Sequence, residues 1–260
     1  MHTPRKRFGQ HFLSDQHIIQ RIVAALAPTS HDHLVEIGPG QGALTVPILR
    51  AAKQLDVIEL DRDLIPELER RTHHDGRLHI HSADVLEFDF AAIKKDERQL
   101  RIFGNLPYNI STPLLFHLLD YAPIISDMLF MLQKEVAERL AAKANTEHYG
   151  RLSVMMQYCC EIDLLFDVPP QAFYPPPQVQ SSIVRLIPYQ QLPYKSENET
   201  LFASVVKYAF GQRRKTLRNS LKELINDDVW AHLPIRSDLR PENLSVKDFV
   251  ALSNEINKKG

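Results

Sequence analysis

Three of the chain's nine glycines fall within five residues, Gly38, Gly40 and Gly42, in the string VEIGPGQGALT. An apolar run, Leu34–Ile37, precedes them, and a helix-like stretch, Ala43–Arg50, follows. Glycines between a strand and a helix permit a tight turn and bring backbone amides close to a ligand at the helix N-terminus. A short apolar strand of this kind needs neighbouring strands, and the chain provides them. Leu55–Leu60, Leu78–His81, Arg101–Phe103 and Met128–Leu132 read as further strands. Helical spacing appears in Gln16–Leu26, capped by Ser14 or Asp15, and in Leu64–Arg71, Thr112–Leu119 and Glu135–Ala142. This alternation predicts an α/β fold, a parallel sheet with helices on both faces.

The rhythm changes after residue 168. Five of the 17 prolines lie between Pro169 and Pro177, and Gln180–Ile187 alternates like a strand that closes the sheet. Pro188–Glu199 reads as a linker, and Leu201–Phe210, Arg214–Ile225 and Val246–Ile256 read as helices. The expected division is therefore an α/β domain over 1–189 and a smaller all-helical domain over 190–260. A composition of 44% hydrophobic and 24% charged residues excludes a disordered, collagenous or coiled-coil protein. The net charge of −1 conceals an asymmetry: from Tyr189 onward the chain carries +3, the remainder −4. Lys207–Lys222 holds six basic residues and no acid. On one continuous helix Arg214, Lys215, Arg218 and Lys222 share a face, beside the inward-facing Leu217, Leu221 and Leu224. Such a stripe suits a phosphate backbone, with the alternative of a solvated charged face. Arg213 lies within the same basic run; Arg5, Lys6 and Arg7 extend the surface or fray. The adjacent Cys159 and Cys160 read as buried thiols in a reducing compartment, since vicinal cysteines strain a disulfide. No apolar run reaches membrane-spanning length. The N-terminal stretch is expected to be an integral part of the fold rather than a signal or transit peptide.

Glu36 stands two residues before the first glycine. A carboxylate there repels a pyrophosphate and suits a ligand bearing an ammonium group. Glu59 closes the second strand 21 residues after Gly38, the place for a carboxylate that accepts from both ribose hydroxyls, with Asp61 as the alternative. The pattern Gly38-x-Gly40-x-x-Ala43 also meets the dinucleotide fingerprint, so a nicotinamide enzyme stays open at this point. Asp84, after the third strand, can accept from an adenine amino group while the Val85 amide meets a ring nitrogen, or it can simply cap a turn. Together Glu36, Gly38, Gly40, Gly42, Glu59, Asp84 and Val85 resemble the S-adenosylmethionine site of a class I methyltransferase.

Asn105-Leu106-Pro107-Tyr108 follows the fourth strand. The N6 of adenine is a poor nucleophile because its lone pair is delocalised into the ring. The Asn105 side-chain oxygen and the Leu106 carbonyl can accept its hydrogens and turn the lone pair outward. Pro107 stiffens the backbone, and Tyr108 offers a face for an extruded base. Transfer from a cationic donor with a neutral leaving group needs no general base, so positioning and hydrogen bonding suffice. No metal-ligand spacing is expected, and His31, His33, His73 and His74 read as solvated loop histidines.

The chain resembles the ribosomal RNA adenine N6,N6-dimethyltransferase family, its bacterial small-subunit branch most closely. The resemblance runs end to end, through RFGQHFLSD, VEIGPGQGALT, VIELDRDL, SADVLEFDF, GNLPYNISTPLL, MLQKEVAERL, YGRLSVMMQY, AFYPPPQVQSSIVRL and FGQRRKTLRNSLK. It implies a Rossmann-like methyltransferase domain followed by a small helical RNA-binding domain. It further implies a cytoplasmic, monomeric enzyme that dimethylates two adjacent adenosines near the 3′ end of small-subunit (16S) rRNA, in an immature 30S particle. His11 and Leu13 are implied to contact the cofactor beside Gly38, Glu59, Asp84 and Asn105, and Phe173 to be the second aromatic near the target base. The family often has Asn where this chain has His11. Open alternatives are a large-subunit rRNA adenine methyltransferase of the macrolide-resistance type, a DNA adenine methylase, a nonenzymatic assembly or transcription factor, and the nicotinamide dehydrogenase.

Overall fold

A computed structural model describes residues 11–212, 215–225, 230, 233 and 235–258. Arg5, Lys6, Arg7, Arg213 and Arg214 lie outside the described residues. The chain forms two compact units, one of Met1–Ala137 with Ile162–Pro188 and one of Glu138–Glu161 with Tyr189–Gly260. The sequence reading places all of 138–161 in the first domain; the structure assigns that segment to the second unit.

In the first unit β1 (Phe12–Leu13) leads into α1 (Gln16–Leu26). The α1 cap is Asp15, whose carboxylate accepts from the amides of His17 and Ile18. Ile18, Ile19, Ile22 and Leu26 form the buried face of that helix. Then come β2 (His33–Ile37), α2 (Thr45–Ala51), β3 (Leu55–Glu59), α3 (Ile65–Arg71), β4 (Leu78–Ser82), β5 (Leu100–Asn105), α4 (Ser111–Leu119), β6 (Ile125–Gln133) and α5 (Lys134–Ala141). After α6 (Arg151–Cys159), the strands β7 (Cys160–Val168), β8 (Phe173–Tyr174) and β9 (Ser181–Pro188) follow. The main sheet has the order β4-β3-β2-β5-β6-β9-β7. From β4 to β6 it is parallel, and β9 is antiparallel to β6, with Met131 opposite Ile183. The chain leaves β2 toward β3 and β4, then returns to β5 on the other side. The order therefore reverses between β2 and β5, where open α/β sheets hold their ligands. The two strands approach closely: a Cβ on Gly104 of β5 would sit 2.3 Å from the Ile37 carbonyl oxygen of β2. β1 and β8 form a separate pair, with Phe12 opposite Tyr174 and Leu13 opposite Phe173.

His33 corrects its reading as a solvated loop residue. It is the first residue of β2, buried, with Nε2 3.1 Å from Asp56 on β3. His81 lies 2.8 Å from the same carboxylate, whose affinity for a proton these hydrogen bonds hold far below the ordinary range despite burial.

The second unit packs α7 (Glu199–Gly211) against α6 and α9 (Val246–Asn257), around Tyr158, Phe202, Val206 and Phe249. Between them lies α8, only Leu217–Ser220, so the continuous helix expected over Arg214–Ile225 does not form. The Leu217 and Arg218 amides bond to the carbonyls of Leu239 and Ser237, at 2.8 and 3.0 Å, rather than to the preceding turn. Thr216 is extended (φ −68°, ψ 161°). Lys215, Arg218 and Lys222 are exposed, and Leu217 and Leu221 are buried as expected, but the basic residues share no single helix face. Cys159 ends α6 and Cys160 opens β7; both are free thiols, and burial pushes them up to about 11 and about 12. Among the described residues no helix is long and apolar enough to cross a membrane.

Candidate active site

One pocket lies at the carboxyl ends of β2, β3, β4 and β5. It gathers His11, Leu13, Glu36, Gly38, Gly40, Glu59, Asp84, Val85, Asn105, Leu106, Pro107 and Tyr108 in its wall. Residues as distant in sequence as His11 and Tyr108 thus meet around one cavity. Gly42 is not in this wall; it faces the neighbouring groove against α1 and α3, and a Cβ there would lie 2.9 Å from Leu68. Its contribution is the turn, since Gly38, Gly40 and Gly42 all have positive φ, at 66°, 55° and 79°. Phe173 is also outside the wall. It is 3% exposed and packed in the hydrophobic core, because strand alternation turns its ring inward and that of Tyr174, 69% exposed, outward.

The glycine turn is braced by Glu59. Its carboxylate accepts from the Gly40 amide at 3.1 Å and from the Asp61 amide at 2.8 Å. Burial raises the proton affinity of Glu59, and these amide bonds oppose that rise. One group thus shapes the loop and keeps lone pairs for ribose hydroxyls. Glu36 is fully buried and accepts from the Thr45 hydroxyl at 2.6 Å. Burial pushes its carboxyl up to about 8, against the Thr45 bond, with Glu59 adding to the rise. Among the described residues no cation pairs with it, so the pocket offers a buried carboxyl to a ligand's ammonium. The Leu86 amide donates to Asp84 at 2.9 Å, so Asp84 caps a turn while also lining the pocket. The donor set fits S-adenosylmethionine: a carboxyl for the ammonium, Glu59 for ribose, Asp84 and Val85 for adenine.

At the reacting end the Asn105 Nδ2 donates to the His11 carbonyl at 3.1 Å. This fixes the amide so that Oδ1 is its acceptor for a substrate. The Leu106 amide donates to the Met131 carbonyl at 3.2 Å, which anchors the loop to β6. Tyr108 shares a hydrogen bond with Ser181 at 3.0 Å, and burial raises its phenol's proton affinity. Sequence reasoning missed Thr45 and Ser181, which hold Glu36 and Tyr108, and the wall residues Gln41, Leu60, Arg71 and Asn109. Leu60 alone had a local signal, an apolar residue directly after the strand-ending Glu59, and it is 51% exposed.

A profile of the family described as ribosomal RNA adenine dimethylase matches residues 1–258. The chain belongs to this family. The ribosomal RNA small subunit methyltransferase A of Chromohalobacter salexigens is 54% identical over 259 residues, covering 98% of this chain and 92% of that protein. The protein of the same name from Hydrogenovibrio crunogenus is 52% identical over 260 residues, covering 99% and 98%. Among solved structures, a dimethyladenosine transferase from Plasmodium falciparum superposes with a TM-score of 0.82 at 30% identity, over 96% of this chain and 98% of that one. The 23S rRNA methyltransferase ErmE superposes at 0.71 and 22% identity, over 95% and 99%, and speaks for the fold. Family membership makes the chain an S-adenosylmethionine-dependent rRNA adenine methyltransferase with a class I α/β fold, and sets aside the nicotinamide dehydrogenase.

Removing Glu59 should separate its role from that of Asp61. Glu59→Ala is expected to weaken S-adenosylmethionine binding by about 1–3 kcal/mol, because the ribose loses a charged acceptor and the Gly40 amide its partner. Titration calorimetry reads it, and unchanged affinity would transfer the ribose role elsewhere.

Proposed function

We propose that this enzyme methylates N6 of two adjacent adenosines near the 3′ end of small-subunit rRNA, in an immature 30S particle, to give N6,N6-dimethyladenosine. We place it in the cytoplasm, acting as a monomer. The observation that carries the reading is the Asn105 amide, oriented by the His11 carbonyl within the pocket that holds Glu36 and Glu59. Asn105 Oδ1 and the Leu106 carbonyl accept from the adenine amino group, and its lone pair turns toward the donor as the N–H bonds are engaged. When bound, S-adenosylmethionine supplies a methyl group on a sulfonium. Glu36 takes its ammonium, Glu59 its ribose, and Asp84 with Val85 its adenine. His11, Leu13, Gly38 and Gly40 line the methionyl side. The protein supplies orientation and hydrogen-bond acceptors, and requires no base to activate the amine.

The two-fold transfer requires that N6-methyladenosine be accepted as a second substrate. Leu106, whose backbone carries the acceptor, leaves an N–H contact for the monomethylated amine after bond rotation or re-entry. Lys215, Arg218 and Lys222, with Arg5, Lys6, Arg7, Arg213 and Arg214, supply charge for RNA phosphates. The test is incubation with labelled S-adenosylmethionine and undermethylated small subunits, then mass spectrometry of the digested RNA. Dimethyladenosine should be the end product at the two adjacent positions. Lasting accumulation of monomethyladenosine, or label on large-subunit RNA alone, would overturn the assignment.

A further inference from the structure

A second groove in the first unit runs between α1 and α3, over the start of α2. Phe12, Leu13, Gln41, Ala43 and Arg71 stand in its wall and also in that of the active-site pocket, so the two hollows adjoin. The groove holds three arginines, Arg50, Arg70 and Arg71, against two carboxylates, Asp63 and Glu67. This excess of positive charge lies in the part of the chain whose net charge is negative. Glu67 is shared between neighbours: it accepts from Arg70 at 2.7 and 2.9 Å and from Arg71 Nε at 2.8 Å. One carboxylate cannot neutralise two guanidiniums, yet it holds them side by side. Each guanidinium has five N–H donors, so both keep donors for a further oxyanion. Arg50 is exposed at the end of α2 and pairs with no carboxylate among the described residues. At the lip of the groove stands Tyr174, its ring open to solvent. Its backbone is tied to the reacting end. Tyr174 pairs with Phe12 across β1 and β8, the Pro175 carbonyl accepts from His11 Nδ1 at 2.8 Å, and the His11 carbonyl accepts from Asn105 at 3.1 Å.

We propose that this groove binds the single-stranded rRNA that flanks the target adenosine. Arg50, Arg70 and Arg71 take its phosphates, and Tyr174 carries one of its bases outside the pocket. The reading rests on the adenine-methylating function proposed above and adds to it a contact surface on the first unit. Cations that follow a backbone, beside an open aromatic face, are the composition of a single-strand binding surface. A protein segment would have to supply a row of carboxylates to meet the same arginines, whereas an RNA strand brings a phosphate with every nucleotide. Stacking on one face reads no sequence, since every base has such a face. The surface therefore fixes how the strand is seated, not which base reacts. A base docked on Tyr174 stands at a set distance from Asn105, because the hydrogen bonds through Pro175 and His11 join the two. Register is thus set in the groove, and the amino group is selected in the pocket.

The experiment measures affinity for undermethylated small subunits, and for the rRNA extracted from them, over a series of salt concentrations. Wild type is compared with Arg50→Ala/Arg70→Ala, Tyr174→Ala and Tyr174→Phe, and cofactor affinity is read by calorimetry. The double arginine variant should bind both RNAs more weakly, with a log–log salt slope shallower by about 1–1.5, since each single-strand phosphate contact contributes about 0.7. Tyr174→Ala should weaken binding about five- to a hundredfold, the effect of losing one stacked base, with the slope unchanged. Tyr174→Phe should return to within about threefold of wild type, because the face is what binds. Cofactor affinity should stay within about threefold in all three variants, which also shows that they fold. The proposal is overturned if the double arginine variant keeps the wild-type slope, or if Tyr174→Phe is as weak as Tyr174→Ala. It is equally overturned if the losses appear on whole subunits but not on extracted rRNA, since the groove would then dock a ribosomal protein. Cofactor affinity lost in step with RNA affinity would overturn it too, because the groove would then only support the glycine turn. Failure of the wild type to methylate rRNA adenines would instead sink the proposed function.

Discussion

Asn105→Ala is expected to lower single-turnover methyl transfer by about 10²–10³-fold at saturating cofactor, the usual effect of deleting one preorganised polar contact to the reacting group. Its Nδ2 is committed to the His11 carbonyl, so the oxygen is the half of the amide available to the substrate. Removing the side chain leaves the amino group with only the Leu106 carbonyl as acceptor, and its lone pair stays delocalised. Asn105 also lines the pocket with Glu59 and Gly38, so a several-fold loss of cofactor affinity accompanies the change. Asn105→Asp separates the two parts of the argument. It keeps an acceptor oxygen, but it replaces the donor to His11 by a second oxygen that the carbonyl repels. It should remain impaired if orientation matters, and should recover if any acceptor will do. Full recovery of Asn105→Ala at high cofactor concentration would reduce Asn105 to a cofactor ligand.

How much of this site could be read beforehand depended on where each partner sits in the chain. β2 and β3 are buried along their whole length, and enough of their residues are apolar (Leu34, Val35 and Ile37; Leu55, Val57 and Ile58) for both to read as strands despite His33, Glu36, Asp56 and Glu59; the glycines between β2 and α2 are punctuation that hydrophobic periodicity cannot hide. β7 is an edge strand with Glu161, Asp163 and Asp167 exposed along it. Its charges protect an open edge and erase the strand pattern, and no glycine or proline separates it from α6. The helix expected over Arg214–Ile225 had sound periodicity, but its first amides are taken by the carbonyls of Leu239 and Ser237. A distant loop decided the local structure there, and propensity was overridden. Thr45 and Ser181 were invisible for a related reason. Nothing in the neighbourhood of Ser181 states that Tyr108, 73 residues away, will be its partner. At Phe173 the motif was legible, and the strand's period of two buries this ring and leaves the neighbouring Tyr174 at the surface.

Gly104→Ala should cost about 3 kcal/mol or more of stability, at the upper end of what overpacking does. The reason is the identity of the obstacle. The new Cβ would lie 2.3 Å from the Ile37 carbonyl oxygen and 3.3 Å from its carbonyl carbon and amide nitrogen. These are backbone atoms of the adjacent parallel strand, so no side-chain rotamer can yield. Relief requires β5 to draw away from β2 where Val35 pairs with Ile102 and Glu36 with Phe103. Gly76→Ala is the matched control, since a Cβ there meets nothing within 4 Å, and it should be near neutral. Urea unfolding of the full chain, followed through the midpoint of the transition that involves the sheet, reads the difference. A wild-type midpoint for Gly104→Ala would show that the strands can separate cheaply. The same measurement bears on chemistry, because Asn105 follows Gly104 directly and Gly38 follows Ile37. Any widening between these strands moves the acceptor away from the cofactor turn, so the fraction of Gly104→Ala that still folds should transfer methyl more slowly than wild type.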